Sequence, residues 1–409
     1  MLLHYRREAF DQIQKLIREI VQIPNRVEKV LLCHQMIYRE IVRAERHILR
    51  HKKDRQNSRA LLRTSRPSRA TSAGLKKRIK SIEARIDAYW QLHYIWRCFG
   101  DAVAFAYLDR YAIKQTYFET TTENPKQHVG FISGKAGIAN EVAVVESAIN
   151  VGVPAILTDL TNSIRHGDVC LLGENDPHLI EVKSGQKLNH RGRRQSSDIS
   201  ALHRFFSTDE ATGLRGIPKM SRIAAHSVER NYVDEMNGCI ERSKNVGHDL
   251  INPERGLYYL SIYRAGVDLD RLFGQMNVKR PIVFDLNSYK SGRGWSPYYP
   301  FTLSIVSSRH LYDFIEGELY LLVILDHDYF SREAALLDVV VNFENDSGLF
   351  SRDEGPGEGK VGVSNQFLLR IGLEFLSPRW VLEHASHSFA RARERIEPGS
   401  ASAAILKLC

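Results

Sequence analysis

Apolar residues that recur every three or four positions predict two long helices in the first hundred residues. Such spacing places apolar side chains along one face of a helix. Between the two series, residues 57–74 lose the period and are rich in Ser, Arg, Pro and Gly, which favours a loop. We therefore expect an antiparallel helical hairpin of the coiled-coil kind with a mobile tip, although two unrelated helices would give the same spacing. The first series contains Val27, Val30, His34, Ile37, Ile41, Ala44 and Ile48, and the second contains Ile79, Ile82, Ile86, Tyr89, His93 and Trp96.

Shorter patterns after residue 134 indicate a mixed α/β region. Apolar runs of a few residues bounded by turn residues are typical of strands, and longer runs with a period near 3.6 are typical of helices. Together they predict the order αβββαβ. The expected helices cover residues 137–150, 195–206 and 220–243, after an earlier one over 101–114, and the expected strands cover residues 154–160, 168–172, 178–183 and 256–263.

The pattern also predicts three domains. We expect a basic α-helical arm over residues 1–114, a mixed core over 134–265 and an acidic α/β domain over 266–409, with 115–133 as a linker. No chemistry follows from the pattern of the last domain. Its predicted strands cover residues 282–286, 301–306, 319–325 and 339–343, and its helical segment covers 366–395 with an interruption near Pro378.

Length and composition limit the class of protein. The chain has 409 residues, of which 43% are hydrophobic and 26% are charged, as in a globular protein of two or three domains. Its longest apolar run, residues 319–325, is far shorter than the ~20 residues that span a bilayer. The 5 cysteines include no Cys-x-x-Cys pair, which argues against a disulfide framework or a zinc knuckle. We therefore expect a cytoplasmic protein without membrane contact.

Positive charge is concentrated near the N-terminus. The net charge is +9, and residues 1–100 contain 23 Lys and Arg against 9 Asp and Glu. Residues 42–80 alone contain 14 basic residues, among them the nucleic-acid-binding candidates Lys52, Lys53 and Arg55. Nucleic acid is the simplest polyanionic partner for such a stripe, through phosphate contacts that do not read base sequence. A solvated segment whose charge only maintains solubility would have the same composition.

Two acidic residues and a lysine lie at the ends of neighbouring predicted strands. Asp168 begins one strand, and Glu181 and Lys183 lie near the end of the next, on the same face because side chains alternate along a strand. In a hairpin, Asp168 would lie beside Glu181, and two carboxylates at one place favour a hard divalent cation such as Mg²⁺. Lys183 could then polarise a water or stabilise charge on a phosphate. These are the requirements of phosphodiester hydrolysis.

Further charged residues are expected around this pair. Glu141 borders the apolar stripe of the helix over residues 137–150, which suggests an inward role, although a structural carboxylate at the edge of the stripe would look the same. Arg191, Arg193 and Arg194 follow the Lys183 strand and would bring cations to a bound phosphate backbone, unless they form a solvated loop.

This set of residues resembles the core of the PD-(D/E)XK nuclease superfamily, which has the restriction-endonuclease-like fold. The resemblance rests on Glu141, on Gly167-Asp168 and on the run Glu181-Val182-Lys183-Ser184-Gly185. It implies that Asp168, Glu181 and Val182 hold Mg²⁺ or Mn²⁺, that Lys183 assists the attacking water and that Glu141 supports the metal or the water. Gln195 best matches the polar residue that many members carry on the next helix.

The resemblance covers part of the chain and departs from the literal motif. His166-Gly167 stands where the motif has Pro before Asp168, and Pro is often absent in the superfamily. The match extends over residues 134–206, and further if the strand over 256–263 completes the sheet. A coincidental strand pair with a surface salt bridge is the competing interpretation.

We therefore expect a metal-dependent nuclease, most simply a DNA endonuclease in defence or repair. The alternative class is a catalytically silent nuclease-fold protein that serves as a nucleic-acid-binding or assembly scaffold. Charge does not separate a DNase from an RNase. A homodimer, or a partner protein bound through the helical arm or the C-terminal domain, is compatible with either class.

Overall fold

A computed structural model describes most of the chain. The described residues are 2–64, 68–127, 130–182, 190–222, 227–263, 266–342, 350–353, 360–363 and 366–395. The chain forms two compact units, the first from Met1–Tyr117 and Lys126–Ser196, the second from Phe118–Pro125 and Ser197–Cys409. This division differs from the three expected domains, because the helical arm and the first strands of the core pack into one unit.

The first unit begins with helices. After a 3-10 turn at Leu3–Arg6, the helices are α1 (Arg7–Gln22), α2 (Val27–Thr64), α3 (Arg69–Phe105), α4 (Arg110–Gln115) and α5 (Ile138–Asn150). α2 and α3 form the expected antiparallel hairpin, with the apolar series buried between them. Mixed α/β architecture with an N-terminal helical arm is therefore confirmed.

The loop predicted at the tip of the hairpin is mostly helical. α2 continues to Thr64, and α3 begins at Arg69 after Ser68, whose hydroxyl accepts a hydrogen bond from the backbone N–H of Thr71. Residues 65–67 lie outside the described part. The loop predicted over 57–74 is therefore too long. Ala, Leu and Arg in this segment favour helix, and the packing of α2 against α3 stabilises their ends even though the apolar period is lost there.

α3 approaches the rest of the unit closely near its C-terminal end. From Leu92 to Phe105 every residue of this helix is buried, so its last turns have no solvent face. A side chain at Gly100 would have its Cβ 1.9 Å from the carbonyl oxygen of Leu160. Glycine therefore allows the helix backbone to touch the 3-10 turn Thr158–Leu160. The helix predicted over 101–114 is divided, because α3 ends at Phe105 and Asp109 caps α4.

A small antiparallel sheet completes the first unit. Its strands are β1 (Ala155–Leu157), β2 (Val169–Leu171) and β3 (His178–Ile180), in the order β1-β2-β3. The three predicted strands are thus confirmed but are shorter than expected. α5 packs against β1, and α2 contacts both α5 and β1.

The remaining elements belong to the second unit, apart from the start of α6 (His190–Thr208). The expected helix over residues 195–206 is therefore confirmed. The other elements are β4 (Glu210–Thr212), β5 (Lys219–Ser221), α7 (Val233–Val246), β6 (His248–Glu254), β7 (Leu257–Ile262), α8 (Leu269–Met276), β8 (Pro281–Asp285), α9 (Leu286–Ser291), α10 (Phe301–Ser304), α11 (Ser308–Glu316), β9 (Tyr320–Asp326), α12 (His327–Leu336), β10 (Val340–Val341), β11 (Phe350–Asp353), β12 (Lys360–Val363), α13 (Gln366–Leu373) and α14 (Pro378–Arg395).

The strand predicted over 256–263 exists as β7 but does not complete the sheet of the first unit. It lies in a separate antiparallel sheet of order β6-β7-β9-β8, with Leu260 of β7 opposite Leu322 of β9. Both edges of β7 are therefore occupied by strands of the second unit. This sheet extends past residue 265, where a domain boundary was expected, because it includes β8 and β9.

Two predictions in the second unit need correction. Residues 301–306 begin with the short helix α10 instead of a strand, and 220–243 contain the end of β5 and most of α7 instead of one helix. Apolar runs of four to six residues do not by themselves distinguish the two kinds of element. The helical segment with a break near Pro378 is confirmed by α13 and α14.

Two findings concern membranes and cysteines. In the described ranges, no helix combines the length and the apolar character that crossing a bilayer requires. Cys33, Cys98, Cys170 and Cys239 are buried free thiols.

Candidate active site

Four acidic side chains lie around the small sheet of the first unit. Glu141 is in the first turn of α5, Asp159 in the 3-10 turn after β1, Asp168 directly before β2 and Glu181 directly after β3. The register pairs Val169 with Ile180, so Asp168 and Glu181 extend from neighbouring strands. The hairpin expected from the sequence is therefore present.

The backbone before Asp168 is adapted to this close approach. Gly167 has φ +73°, and a Cβ at this position would lie 3.0 Å from the carbonyl oxygen of Ile180. The N–H of Asp168 donates to the same carbonyl at 2.8 Å. Glycine thus allows the chain to turn tightly and to present the Asp168 carboxylate at the end of the sheet.

Three of the acids share one cation, the ammonium group of Lys135. Its Nζ lies 2.9 Å from Oε2 of Glu141, 3.0 Å from Oδ2 of Asp159 and 3.1 Å from Oδ1 of Asp168. Glu141 and Asp159 are only 4% and 3% exposed. The carboxylates therefore converge on one point although they are distant in sequence. The second oxygen of Asp168 accepts a hydrogen bond from the backbone N–H of Val182 at 2.9 Å.

Glu181 is the least satisfied acid of the group. Its Oε2 atom is buried and has no hydrogen-bond partner within the described part of the chain. Burial, together with the negative charge of Asp168, raises the pKa of Glu181 to about 7, and Lys135 and Lys126 offset part of this effect. Burial also raises the pKa of Glu141, although Lys135 acts in the opposite direction. The four acids thus carry more negative charge than Lys135 alone neutralises.

Further cations border the acids. Arg97 of α3 is buried, which lowers its pKa, and Asp159 is the largest of the negative charges that act on it. Lys126 Nζ lies 2.8 Å from Nδ1 of His166. His166 is buried and precedes Asp168 by two residues in the sequence. Arg97 and Lys126 thus add positive charge near the carboxylates.

The donor chemistry suits a hard divalent cation. All four side chains offer carboxylate oxygens, the ligands that Mg²⁺ prefers, and the orphaned Oε2 of Glu181 would gain a partner from a bound ion. As they stand, however, no three His, Cys, Asp or Glu side chains in the described ranges are spaced to hold a metal ion. The reason is visible in the contacts, because Lys135 fills the centre of the carboxylates. Glu181, Asp168 and Glu141 are the predicted residues that would hold the ion or support it.

Not all predicted site residues can be compared with this geometry. Lys183 and the side chain of Arg191 lie outside the described residues. Gln195 is half-buried in α6, while Arg193 and Arg194 are exposed in the first turns of this helix. Their roles stay predictions.

Sequence reasoning missed Asp159 and Lys135. Asp159 is the second-last residue of the predicted strand over 154–160, and an acid near a strand end, like Asp168 and Glu181, could have been noticed. Lys135 carries no comparable signal, because it lies in the aperiodic segment before α5 and reaches the acids only through the fold. A lysine bound to several carboxylates can be found only from the tertiary structure.

The basic residues of the arm differ in their surroundings. The ammonium of Lys52 lies 5.4 Å from the ring centre of Trp90 and 5.3 Å from that of Phe131, so this lysine is engaged within the unit. Arg55 lies 3.8 Å from Glu83, whereas Lys53 is exposed. The residues nearest the tip are exposed as well, including Arg63, Arg69, Lys76, Lys77, Arg78 and Lys80.

Comparison with known proteins found no match to this chain among protein-family models, curated proteins or solved structures.

Proposed function

We propose that this protein is a metal-dependent nuclease that hydrolyses phosphodiester bonds, most simply in DNA. The observation that supports it best is the convergence of Glu141, Asp159 and Asp168 on one point, next to Glu181 with its unpartnered oxygen. Carboxylates that are distant in sequence rarely gather around one buried point unless they bind a cation or take part in catalysis, because their mutual repulsion destabilises the fold. The mixed architecture and the hairpin of β2 and β3 are compatible with the resemblance drawn from the sequence.

In this proposal Asp168 and Glu181 would hold Mg²⁺ or Mn²⁺ through their carboxylates. Val182 would contribute to the same ion site through its backbone. A divalent ion bound there supplies charge neutralisation at the phosphate and a more acidic water. Glu141 and Asp159 would orient water from the opposite side of the site. Lys183 would add positive charge at the attacked phosphate, and the exposed basic residues of the arm would contact backbone phosphates further away.

Cleavage assays with the purified protein test the proposal. Supercoiled plasmid and labelled single- and double-stranded DNA and RNA are incubated with Mg²⁺ or Mn²⁺, or with EDTA. We expect metal-dependent cleavage that falls by at least about a hundredfold in Asp168→Asn and Glu181→Gln, since each removes a charged ligand of the reacting centre. Glu174→Gln and Glu146→Gln are matched controls, because Glu174 is exposed in the β2–β3 turn and Glu146 lies elsewhere on α5. Absence of cleavage with every substrate, or equal activity in all variants, would contradict the proposal.

The second candidate is a nuclease-like protein without catalytic activity that binds nucleic acid or assembles with a partner. The contacts of Lys135 favour it, because a fixed lysine among the acids would make them a structural ion-pair network. In that case divalent ions would not raise the melting temperature, whereas ligand binding to the folded state always does. Nucleic acid would still bind to the arm, without being cleaved.

A further inference from the structure

Lys135 holds the place where the proposed metal would bind. Its ammonium group contacts three carboxylates at 2.9 to 3.1 Å, from α5, from the turn after β1 and from the start of β2. Each contact comes from a different element, so the lysine bridges the parts of the site. An ammonium and a divalent cation seek the same carboxylate oxygens, and these oxygens cannot surround both at one point.

The charge of the site exceeds what one lysine neutralises. Glu141, Asp159, Asp168 and Glu181 lie close enough to influence one another, and Lys135 contacts only the first three. The buried Oε2 of Glu181 has no partner in the part of the chain that the structure describes. A doubly charged ion would balance the carboxylates better than a single ammonium, provided that the lysine leaves.

The segment that carries Lys135 is fixed at one side and adaptable at the other. The carboxylate of Glu45 in α2 accepts hydrogen bonds from the N–H groups of Ile132 at 3.0 Å and Ser133 at 2.7 Å. Gly134 and Gly137 flank the lysine with φ +86° and +92°, and a Cβ at Gly134 would meet no other group within 4 Å. Two residues without side chains therefore give the backbone beside Lys135 a wider choice of conformations, while the N–H of Lys135 donates to the carbonyl of Ile132 at 3.0 Å and the anchor to the arm stays in place.

We propose that Lys135 is a resident counter-cation of the carboxylate site, and that a divalent cation binds only by displacing it. The inference rests on the proposed function, because it concerns the regulation of the same site. In the metal-free protein the lysine keeps the acids together and prevents their mutual repulsion. When the ion binds, the ammonium leaves the carboxylates and moves to solvent, where it is available to a phosphate of the substrate.

The first experiment measures the displacement in the unmodified protein. Lysines are labelled with a small amine-reactive reagent in EDTA, in Mg²⁺ or in Mn²⁺, without nucleic acid, and the labelled positions are quantified by peptide mass spectrometry. We expect labelling of Lys135 to increase at least about fivefold with the divalent ion, because its protection by three carboxylates is lost. Lys29 of α2 is the internal control. Its Nζ lies 3.0 Å from Oε2 of Glu19 in α1, and its labelling should not change when the divalent ion is added. Unchanged labelling of Lys135 at saturating metal would overturn the inference.

The second experiment removes the competing charge. Lys135→Met keeps an unbranched side chain one atom shorter and lacks the ammonium, and Lys135→Arg keeps the charge. We expect the melting temperature without metal to fall in Lys135→Met, and its affinity for Mn²⁺, measured by calorimetry, to rise at least about tenfold, a free-energy change of about 1.4 kcal/mol. Lys135→Arg should bind Mn²⁺ no more tightly than the unmodified protein. If Lys135→Met does not fold, the labelling experiment alone decides.

The outcomes separate this inference from the proposed function. If the unmodified protein binds the ion and cleaves nucleic acid while Lys135→Met binds it no better, only the displacement by the ion is wrong. If neither protein binds a divalent ion, the proposed function fails and the inference fails with it. Equal Mn²⁺ affinity of Lys135→Met and Lys135→Arg would likewise overturn the inference, because charge would then not matter.

Discussion

At the scale of single residues, the two acids at the ends of β2 and β3 have very different surroundings. Asp168 receives a backbone hydrogen bond from Val182 and an ion pair from Lys135, whereas Glu181 has a buried oxygen without a described partner. Buried polar groups are almost always paired in folded proteins, so an exception needs a reason. The proposed function would supply one, because an unsatisfied carboxylate retains its affinity for an ion.

Glu181 should make the stability of the metal-free protein depend on pH. Its pKa is raised from 4.5 to about 7 by burial, so the folded state favours the protonated form. The resulting stabilisation is fully present below pH 4.5 and is lost as the pH rises through 7. We expect Glu181→Gln, which is never charged, to have a melting temperature about 2–4 °C higher than the unmodified protein at pH 8 in EDTA.

The difference between the two proteins should shrink as the pH falls below 7 and should be smallest at pH 5, close to the unfolded pKa of 4.5. Thermal unfolding in EDTA at several pH values between 5 and 8 is the measurement. Glu174→Gln, which removes an exposed carboxylate of the β2–β3 turn, should show no such pH-dependent difference. A difference that is independent of pH would mean that the pKa of Glu181 is the same in the folded and in the unfolded protein.

At the scale of elements, the site depends on how closely α3 approaches the turn that carries Asp159. The backbone of the helix touches Leu160 at Gly100, where no side chain fits. The site is therefore built by packing of the helical arm against the sheet and the turn that follows β1. The strands themselves pack against α2 and α5, and α3 packs against the turn that carries Asp159.

Gly100→Ala tests this contact. Its Cβ would lie 1.9 Å from the carbonyl oxygen of Leu160, so the helix or the turn has to shift. We expect a loss of about 1–3 kcal/mol in the free energy of unfolding, as for other overpacked interiors, measured by urea denaturation. Because Asp159 lies in the shifted turn, the stabilisation by Mn²⁺ should also decrease.

The same helix offers a matched control. Gly74 lies near the start of α3 and is exposed, and a Cβ at this position would have no neighbour within 4 Å. Gly74→Ala should therefore raise the free energy of unfolding by about 0.5–1 kcal/mol, because alanine favours helix over glycine. Equal effects of the two substitutions would show that Gly100 is not needed for the approach of α3.

At the scale of the whole molecule, charge is distributed unevenly between the two ends of the chain. Residues 42–80 contain 14 basic residues, and those near the tip of the α2–α3 hairpin are exposed. Such a surface favours binding to phosphates through release of counterions, and this binding weakens steeply with salt. The affinity for nucleic acid should therefore depend on this end of the arm.

Replacing Lys76, Lys77 and Arg78 together by alanine tests the role of the arm. We expect the slope of log affinity against log salt to become shallower by about 2–3, since each phosphate contact contributes about 0.7–0.9. Fluorescence anisotropy of a labelled oligonucleotide in EDTA, over a series of salt concentrations, measures the slope without cleavage. Lys219→Ala, which removes an exposed charge of β5, should leave the slope unchanged. The same slope in the triple variant would exclude the tip as a binding surface.

The sequence predicted much of the local structure around the site. The apolar periods identified α2, α3 and α5, and the short apolar runs identified β1, β2 and β3 with Asp168 and Glu181 at their ends. These predictions succeeded because the positions of buried residues along one element follow from its own geometry. Predictions that required pairing over long distances failed, as for β7, whose partner β9 begins more than fifty residues later.

What the sequence determined by itself is therefore the hairpin of α2 and α3, α5 and the three strands of the first unit, with the positions of most acids on them. The tertiary structure alone decided that Asp159 joins these acids, that Lys135 lies at their centre and that β7 belongs to another sheet. The physical reason is the range of the interactions. Helical and strand periods are local, whereas the balance of charge in a buried site depends on every group that folding brings within a few ångströms, whatever its distance along the chain.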